Sequence, residues 1–144
     1  MIVRAARPED HAPIAAVVDD WWGRPVADHL MPLFFEHFHD TSLVVEDDEG
    51  QLVGFLVGFL SQSEPSEAYI HFVGVAPTAR QQGIAADLYH RFFSMAQQRG
   101  RSVVRAITSP INTNSIAFHR ALGFAVTPAD ETHSMVQFTK DLNS

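Results

Sequence analysis

Apolar residues along the chain follow two periods. From Pro8 to Trp22, Ile14, Val17, Val18 and Trp21 recur at helical spacing, behind a proline and acidic residues in the first turn, which predicts a helix that buries one stripe. A second helix is expected from Val26 to Phe38, where a mid-helix Pro32 costs about 3 kcal/mol and argues for two shorter pieces. The clearest helical pattern runs from Gln82 to Gln98, with Ile84, Leu88, Phe92 and Ala96 on one side and Gly100 as its stop. A shorter helix, Thr113 to Leu122, ends at Gly123.

Between these lie runs of β-branched and aromatic residues. Ile2 to Ala6 reads as the first strand; Ser42 to Glu46 and Gln51 to Leu60 flank a turn at Asp47 to Gly50 and form a hairpin. Ala68 to Val75, Ser102 to Thr108, Phe124 to Val126 and His133 to Thr139 complete the strands. Tyr69, His71, Val73 and Val75 share one face if alternation is unbroken. The order of elements predicts an α/β (mixed α+β) fold, a central mixed sheet of six or seven strands flanked by about four helices.

A length of 144 residues suits one domain spanning positions 1–144. No cysteine is present, which removes disulfides, thiolate metal sites and a cysteine nucleophile. A formal charge of -7 argues against nucleic acid as a partner, although a local phosphate site is still open if backbone amides supply the field. The opening MIVRAARPED lacks a long apolar run and no segment is long enough to cross a bilayer, so no membrane association and a cytoplasmic location are expected. His37 and His39 are the closest histidine pair, but residues two apart on a helix diverge and no H-E-x-x-H occurs, so no metal is expected.

The stretch Val73 to Ala85, VGVAPTARQQGIA, carries the most chemistry. A strand runs through a proline-marked loop into the long amphipathic helix. The first turn of that helix offers unpaired amides, and a glycine there lets a ligand approach the backbone. Together they suit a pyrophosphate, with Arg80 adding a positive charge; an eased strand-to-helix connection is the plainer alternative. The G-x-G-x-x-G dinucleotide fingerprint and the Walker G-K-S/T are both missing.

The pattern Val75-x-Pro77-x-x-Arg80-x-x-Gly83-x-Ala85 resembles the acyl-CoA binding motif of the GNAT superfamily of N-acyltransferases. Asn112-x-x-Ser115-x-Ala117-Phe118-His119-x-x-Leu122-Gly123-Phe124 is similar to the helix and strand that follow it there, and the likeness extends over almost the whole chain, looking most like a bacterial group with largely unassigned substrates. The resemblance implies acetyl transfer from acetyl-CoA to a primary amine by direct attack in a ternary complex, without a metal. It implies that the amides of Gln81, Gln82, Gly83, Ile84 and Ala85 wrap the pyrophosphate beside Arg80. The backbones of Val73 and Val75 would hold the pantetheine arm and thioester oxygen where the central parallel strands splay. Asn112 and Ser115 match polar positions near the pantetheine. His119 stands where the family usually has a tyrosine that protonates the leaving thiolate, and histidine titrates lower, near 6.5 against about 10. A sensor that binds acyl-CoA without turnover is the alternative reading.

For the base, His71 is the first candidate because it lies two residues before Val73, and Glu67 and Glu46 are weaker ones. His71 packed between strands is the bland alternative, as is helix packing for His119. The acceptor, a small-molecule or peptide amine, is expected at the first two helices, whose acidic and aromatic residues would attract an ammonium group; Trp22 and Phe35 lead the pocket residues, with Tyr69 as pocket lining or core. The family layout also makes a homodimer an expectation, joined by exposed apolar residues such as Met135, Val136 or Phe138 on the last strand.

Overall fold

The computed structural model describes residues 1–143. Seven strands form one mixed sheet in the order β1-β2-β3-β4-β5-β7-β6. They are β1 (Ile2–Ala5), β2 (Leu43–Glu46), β3 (Leu52–Leu60), β4 (Glu67–Val75), β5 (Val103–Thr108), β6 (Ala125–Thr127) and β7 (Val136–Asp141). The helices are α1 (His11–Trp22), α2 (Leu33–Phe38), α3 (Ile84–Gln98) and α4 (Thr113–Ala121). The chain divides into two compact units, Met1–Phe59 with Phe72–Phe92, and Leu60–His71 with the chain from Phe93 onward.

In the first unit β1 and β2 pair antiparallel from Ile2–Glu46 to Ala5–Leu43, and β2 continues onto β3 with a register shift at Val45/Glu46. The hairpin turn closes because Asp47 Oδ1 accepts the amides of Glu49 and Gln51, both at 2.9 Å, while Gly50 takes φ 79. Ile14, Val18, Val26, Leu30, Phe35, Val44, Phe55 and Val57 form the core, with Trp21, Trp22 and Phe72 packed against it. The entry to α1 is fixed by charge. Arg4 donates to both oxygens of Asp10 at 2.8 Å and to Glu46 at 2.7 Å, and Asp10 also accepts the Arg7 amide. Pro32 divides the expected second helix: a 3-10 turn covers Ala27–His29, and α2 begins only at Leu33, with the Pro32 carbonyl accepting the amides of Phe35 and Glu36.

In the second unit β4 and β5 pair in parallel at Glu67–Val103, Ala68–Val104 and Tyr69–Arg105, and β7 pairs antiparallel with both β5 and β6. The last strand begins three residues later than the expected His133, because Asp130 Oδ1 accepts the amides of Thr132 and His133 at 2.8 Å and curls that segment into a turn. Val136 and Phe138 are 4% and 0% exposed, so they are core residues and not the exposed dimer surface that the sequence suggested. A period-2 pattern marks two faces of a strand without saying which is covered. Phe138 lies flat on the His119 ring, and Phe93, Phe124 and Phe138 join edge to face or tilted around it.

Among the described residues no helix is long and apolar enough to cross a membrane, and no group of three or more His, Cys, Asp or Glu is placed to hold a metal ion.

Candidate active site

The first unit presents a loop shaped for an anion. After β4 the chain makes a 3-10 turn at Pro77–Ala79, Arg80 is extended, and Gln81 and Gly83 both adopt left-handed backbone, at φ 67 and 77. The helical ladder of α3 opens with the Asp87 amide donating to the Gly83 carbonyl at 3.0 Å, so the amides of Ile84, Ala85 and Ala86 precede the ladder and have no carbonyl of their own helix. A Cβ built on Gly83 meets no heavy atom within 4 Å, so the space in front of this turn is open. Left-handed φ, open approach and unpaired amides at a helix start are the geometry that suits a pyrophosphate.

Gly74, inside β4, has a different purpose. A Cβ there would stand 2.5 Å from the Phe55 ring, so the glycine admits that ring against the strand. Along β4, Ala68, Ile70 and Gly74 are buried, whereas Tyr69, His71, Val73 and Val75 are half-buried. The alternation expected from the sequence holds from Ala68 to His71 and is interrupted at Phe72, which is half-buried like His71 and Val73 on either side of it.

Two predicted site residues meet here. Trp22 Nε1 donates to the Val73 carbonyl at 3.3 Å, and its ring lies 4.7 Å from Phe72. Arg80 donates from Nε to the Val75 carbonyl at 3.3 Å and from its terminal nitrogen to the Trp21 carbonyl. The side chain at the mouth of the loop thus bridges the end of β4 and the end of α1. Arg24, which sequence reasoning passed over, sits with its guanidinium carbon 5.5 Å over the Trp22 ring. Its position directly after the Trp21-Trp22-Gly23 end of α1 was the available signal.

Phe35 is 1% exposed in the core and meets the His11 ring edge to face at 5.5 Å. Enclosed in this way, it presents no surface to a ligand. Asp19, an acidic residue of α1, uses Oδ1 to accept the amides of Val26 and Ala27 at 2.7 and 2.8 Å, which shapes the loop after α1.

In the second unit, Asn112 caps α4. Its Oδ1 accepts the Ser115 amide at 3.3 Å while its Nδ2 donates to Thr108 Oγ1 at 3.2 Å. One turn on, His119 is 5% exposed and stacks on Phe138 with ring centroids 3.8 Å apart. Its Nδ1 lies 2.7 Å from the Ser115 carbonyl. A carbonyl only accepts, so Nδ1 carries the proton and Nε2 the lone pair. Burial lowers the His119 pKa, partly countered by that bond to Ser115. A neutral imidazole with its one proton committed to a carbonyl is poorly placed to donate that proton.

Glu67 opens β4 with its carboxylate 3.8 Å from Arg105 Nε, and Glu46 is held by Arg4, so both weaker base candidates are in ion pairs. Tyr69 is half-buried, and burial raises its pKa against the opposing effect of Arg105. His71 is half-buried on the same face of the strand as Tyr69.

A model of the acetyltransferase (GNAT) family matches residues 12–124. The chain is 31% identical over 90 residues to the L-2,4-diaminobutyric acid acetyltransferase of Nocardia farcinica; the match covers 62% of this chain and 46% of that protein, so the chain spans less than half of its relative's length. Among solved structures it is similar to yncA of Salmonella typhimurium, solved with its cofactor acetyl-CoA (TM-score 0.76, 22% identity, 100% of this chain and 95% of that one). It is also similar to the diaminobutyrate acetyltransferase EctA of Paenibacillus lautus in complex with L-2,4-diaminobutyric acid and coenzyme A (TM-score 0.75, 21% identity, 97% and 93%). At these identities the structural likeness is one of fold.

Proposed function

The chain belongs to the acetyltransferase (GNAT) family, and from that premise we propose that it transfers an acetyl group from acetyl-CoA to the primary amine of a small molecule. The observation that carries this reading is the loop before α3, where Gln81 and Gly83 take positive φ ahead of unpaired amides and the space at Gly83 is open. Acetyl-CoA supplies an activated acyl carbon and a leaving thiolate. The chain's own residues bind, orient and move a proton.

The amides of Gln81 to Ala85 hold the pyrophosphate, and the helix start adds a favourable field. Arg80 stands beside them, on the Val75 carbonyl. The edge of β4 at Val73 and Val75 holds the pantetheine arm, and an amide there steadies the developing oxyanion, which costs no reorganisation because the strand is already fixed. Trp22, bonded to the Val73 carbonyl, fixes the strand at this point and walls the acceptor side. His71 takes the proton that the acceptor nitrogen sheds as the neutral amine attacks the acyl carbon, directly or through water. His119 has a packing role, and the thiolate leaves without a proton from it, being a tolerable leaving group. In a second reading the protein binds acyl-CoA without turnover; the buried His119 in the place of a tyrosine is the observation in its favour.

The test is calorimetric titration with acetyl-CoA, followed by mass spectrometry of products from a panel of polyamines, diamino acids, amino acids and peptide amino termini. The relatives' name places diamino acids in that panel. Binding with product, and a His71→Asn variant whose kcat falls at least about tenfold at neutral pH, support the enzyme reading. Binding with no product from any amine supports the sensor, and a well-folded protein that does not bind overturns both.

A further inference from the structure

The acetyl-transfer reading leaves the acceptor open, and the charges around Trp22 narrow it. Trp22 is tied by Nε1 to the Val73 carbonyl at 3.3 Å, so whatever lies against its ring is one side chain away from the strand that, on that reading, holds the thioester. Besides the Phe72 ring, the group against it is a cation: the Arg24 guanidinium carbon is 5.5 Å from the ring centroid. Among the described residues no carboxylate pairs with Arg24, in a chain with seventeen acidic and ten basic residues.

Of the neighbouring acids, Asp19 is turned to another purpose. Asp19 Oδ1 accepts the amides of Val26 and Ala27, and its carbonyl accepts those of Gly23 and Arg24 at 2.8 and 3.2 Å. Asp20 lies two residues before Trp22 on α1, roughly 200° around the helix from it. A second arginine, Arg80, reaches the Trp21 carbonyl, so the end of α1 gathers two guanidinium groups.

We infer that the acceptor carries an anionic group beside its amine, a carboxylate in the simplest case, and that Arg24 binds it. Stacking on an indole uses the face of a guanidinium and leaves its N–H donors in the plane, where a carboxylate takes two of them at once. Contact with the Trp22 ring restrains the Arg24 guanidinium, which reduces the entropy lost when an acid docks. A purely cationic amine at this face would meet a like charge. The chain's overall charge of -7 disfavours anions at long range, so selection for an acid must come from a contact of this kind.

This inference rests on the acetyl-transfer reading, and the experiment separates the two. Initial rates with acetyl-CoA are measured for ω-amino acids of two to six carbons and for α-amino acids, each paired with the amine left when its carboxyl group is removed. Wild type, Arg24→Gln and Arg24→Lys are compared, with acetyl-CoA titration of each as the check on folding. The expected result is a kcat/KM ratio of at least about tenfold in favour of the best acid. The ratio should collapse towards one in Arg24→Gln and recover in part in Arg24→Lys, with the change carried by the acceptor KM. Equal rates for acids and their decarboxylated partners, or a ratio that Arg24→Gln leaves intact, would overturn the inference while leaving acetyl transfer standing. Acetyl-CoA binding with no transfer to either series overturns it as well, and loss of acetyl-CoA binding in wild type overturns the coenzyme reading beneath it.

Discussion

Replacing Gly83 by alanine isolates what the loop before α3 does, because Gly50 provides a matched control. The two glycines have φ 77 and 79, and an added Cβ meets nothing within 4 Å at either. Each Ala variant therefore carries left-handed backbone strain of about 1 kcal/mol and no steric term. For a chain of this size that amounts to roughly 3–4 °C in Tm. The two variants should melt together, below wild type.

They should separate on acetyl-CoA. Gly50 turns the β2–β3 hairpin, whereas the methyl at Gly83 enters the space assigned to phosphate oxygens. Forfeiting one amide-to-phosphate hydrogen bond, worth about 1.5–3 kcal/mol, weakens binding roughly 10- to 100-fold. Calorimetry on the three proteins reads the affinity, and melting with and without acetyl-CoA reads the same linkage independently. If Gly83→Ala binds acetyl-CoA as tightly as Gly50→Ala does, the residues from Gln81 to Ala85 are not the phosphate cradle, whatever the family resemblance suggests.

Asp10→Asn should cost about 2 kcal/mol at pH 7, because Arg4 then loses the bidentate one of its two carboxylate partners and keeps only Glu46. Arg4 holds the Asp10 carboxyl below its ordinary 3.8, so this stability is present above that pH and lost as pH falls through the lower folded value; urea midpoints at pH 7 and pH 3 should show the wild-type advantage shrinking on the acid side. His119 works on a higher limb. Its folded pKa lies below 6.5, the unfolded chain binds more protons in between, and stability falls as pH drops below 6.5 until the folded value is passed. His119→Gln removes that dependence, and parallel urea midpoints for the two proteins between pH 8 and pH 5 would refute the assignment.

The loop and α3 were legible in the sequence because their signals are local: an apolar stripe at helical spacing, a proline-marked entry, and a glycine at a helix start. The split of the second helix was legible for the same reason, since Pro32 acts on its own backbone. The start of β7 was not, because the Asp130 side chain draws in the amides of Thr132 and His133 and competes with the sheet for them. Nor was the burial of Val136 and Phe138, as alternation does not say which face another element covers. Phe35 and Trp22 looked alike as aromatic residues near an acceptor site, and only tertiary packing distinguishes the enclosed ring from the one whose Nε1 reaches Val73. The Arg24 contact with Trp22 had only a weak signal, its place just past the end of α1: an arginine two residues past an indole is common, and its contact with the ring is a property of the fold.

The arginines divide by what they hold. Arg4 is held by Asp10 and Glu46, Arg91 by Asp87 and Arg105 by Glu67, while Arg101 donates to the carbonyls of Ser61, Glu64, Pro65 and Glu67. These are contacts of the scaffold. Arg24 and Arg80 instead gather at the end of α1, on a ring and on carbonyls. An acidic chain that must take an anionic coenzyme cannot rely on long-range attraction, which salt screens beyond about 8 Å; it needs donors aimed at close quarters. At the proposed coenzyme end those donors would be mainly backbone amides, which depend on φ and helix position and tolerate changes of side chain. At the acceptor end, on the reading proposed above, they would be side chains, Arg24 above all. Substitutions should therefore alter acceptor choice far more readily than coenzyme choice, because the one is written in rotamers and the other in the path of the main chain.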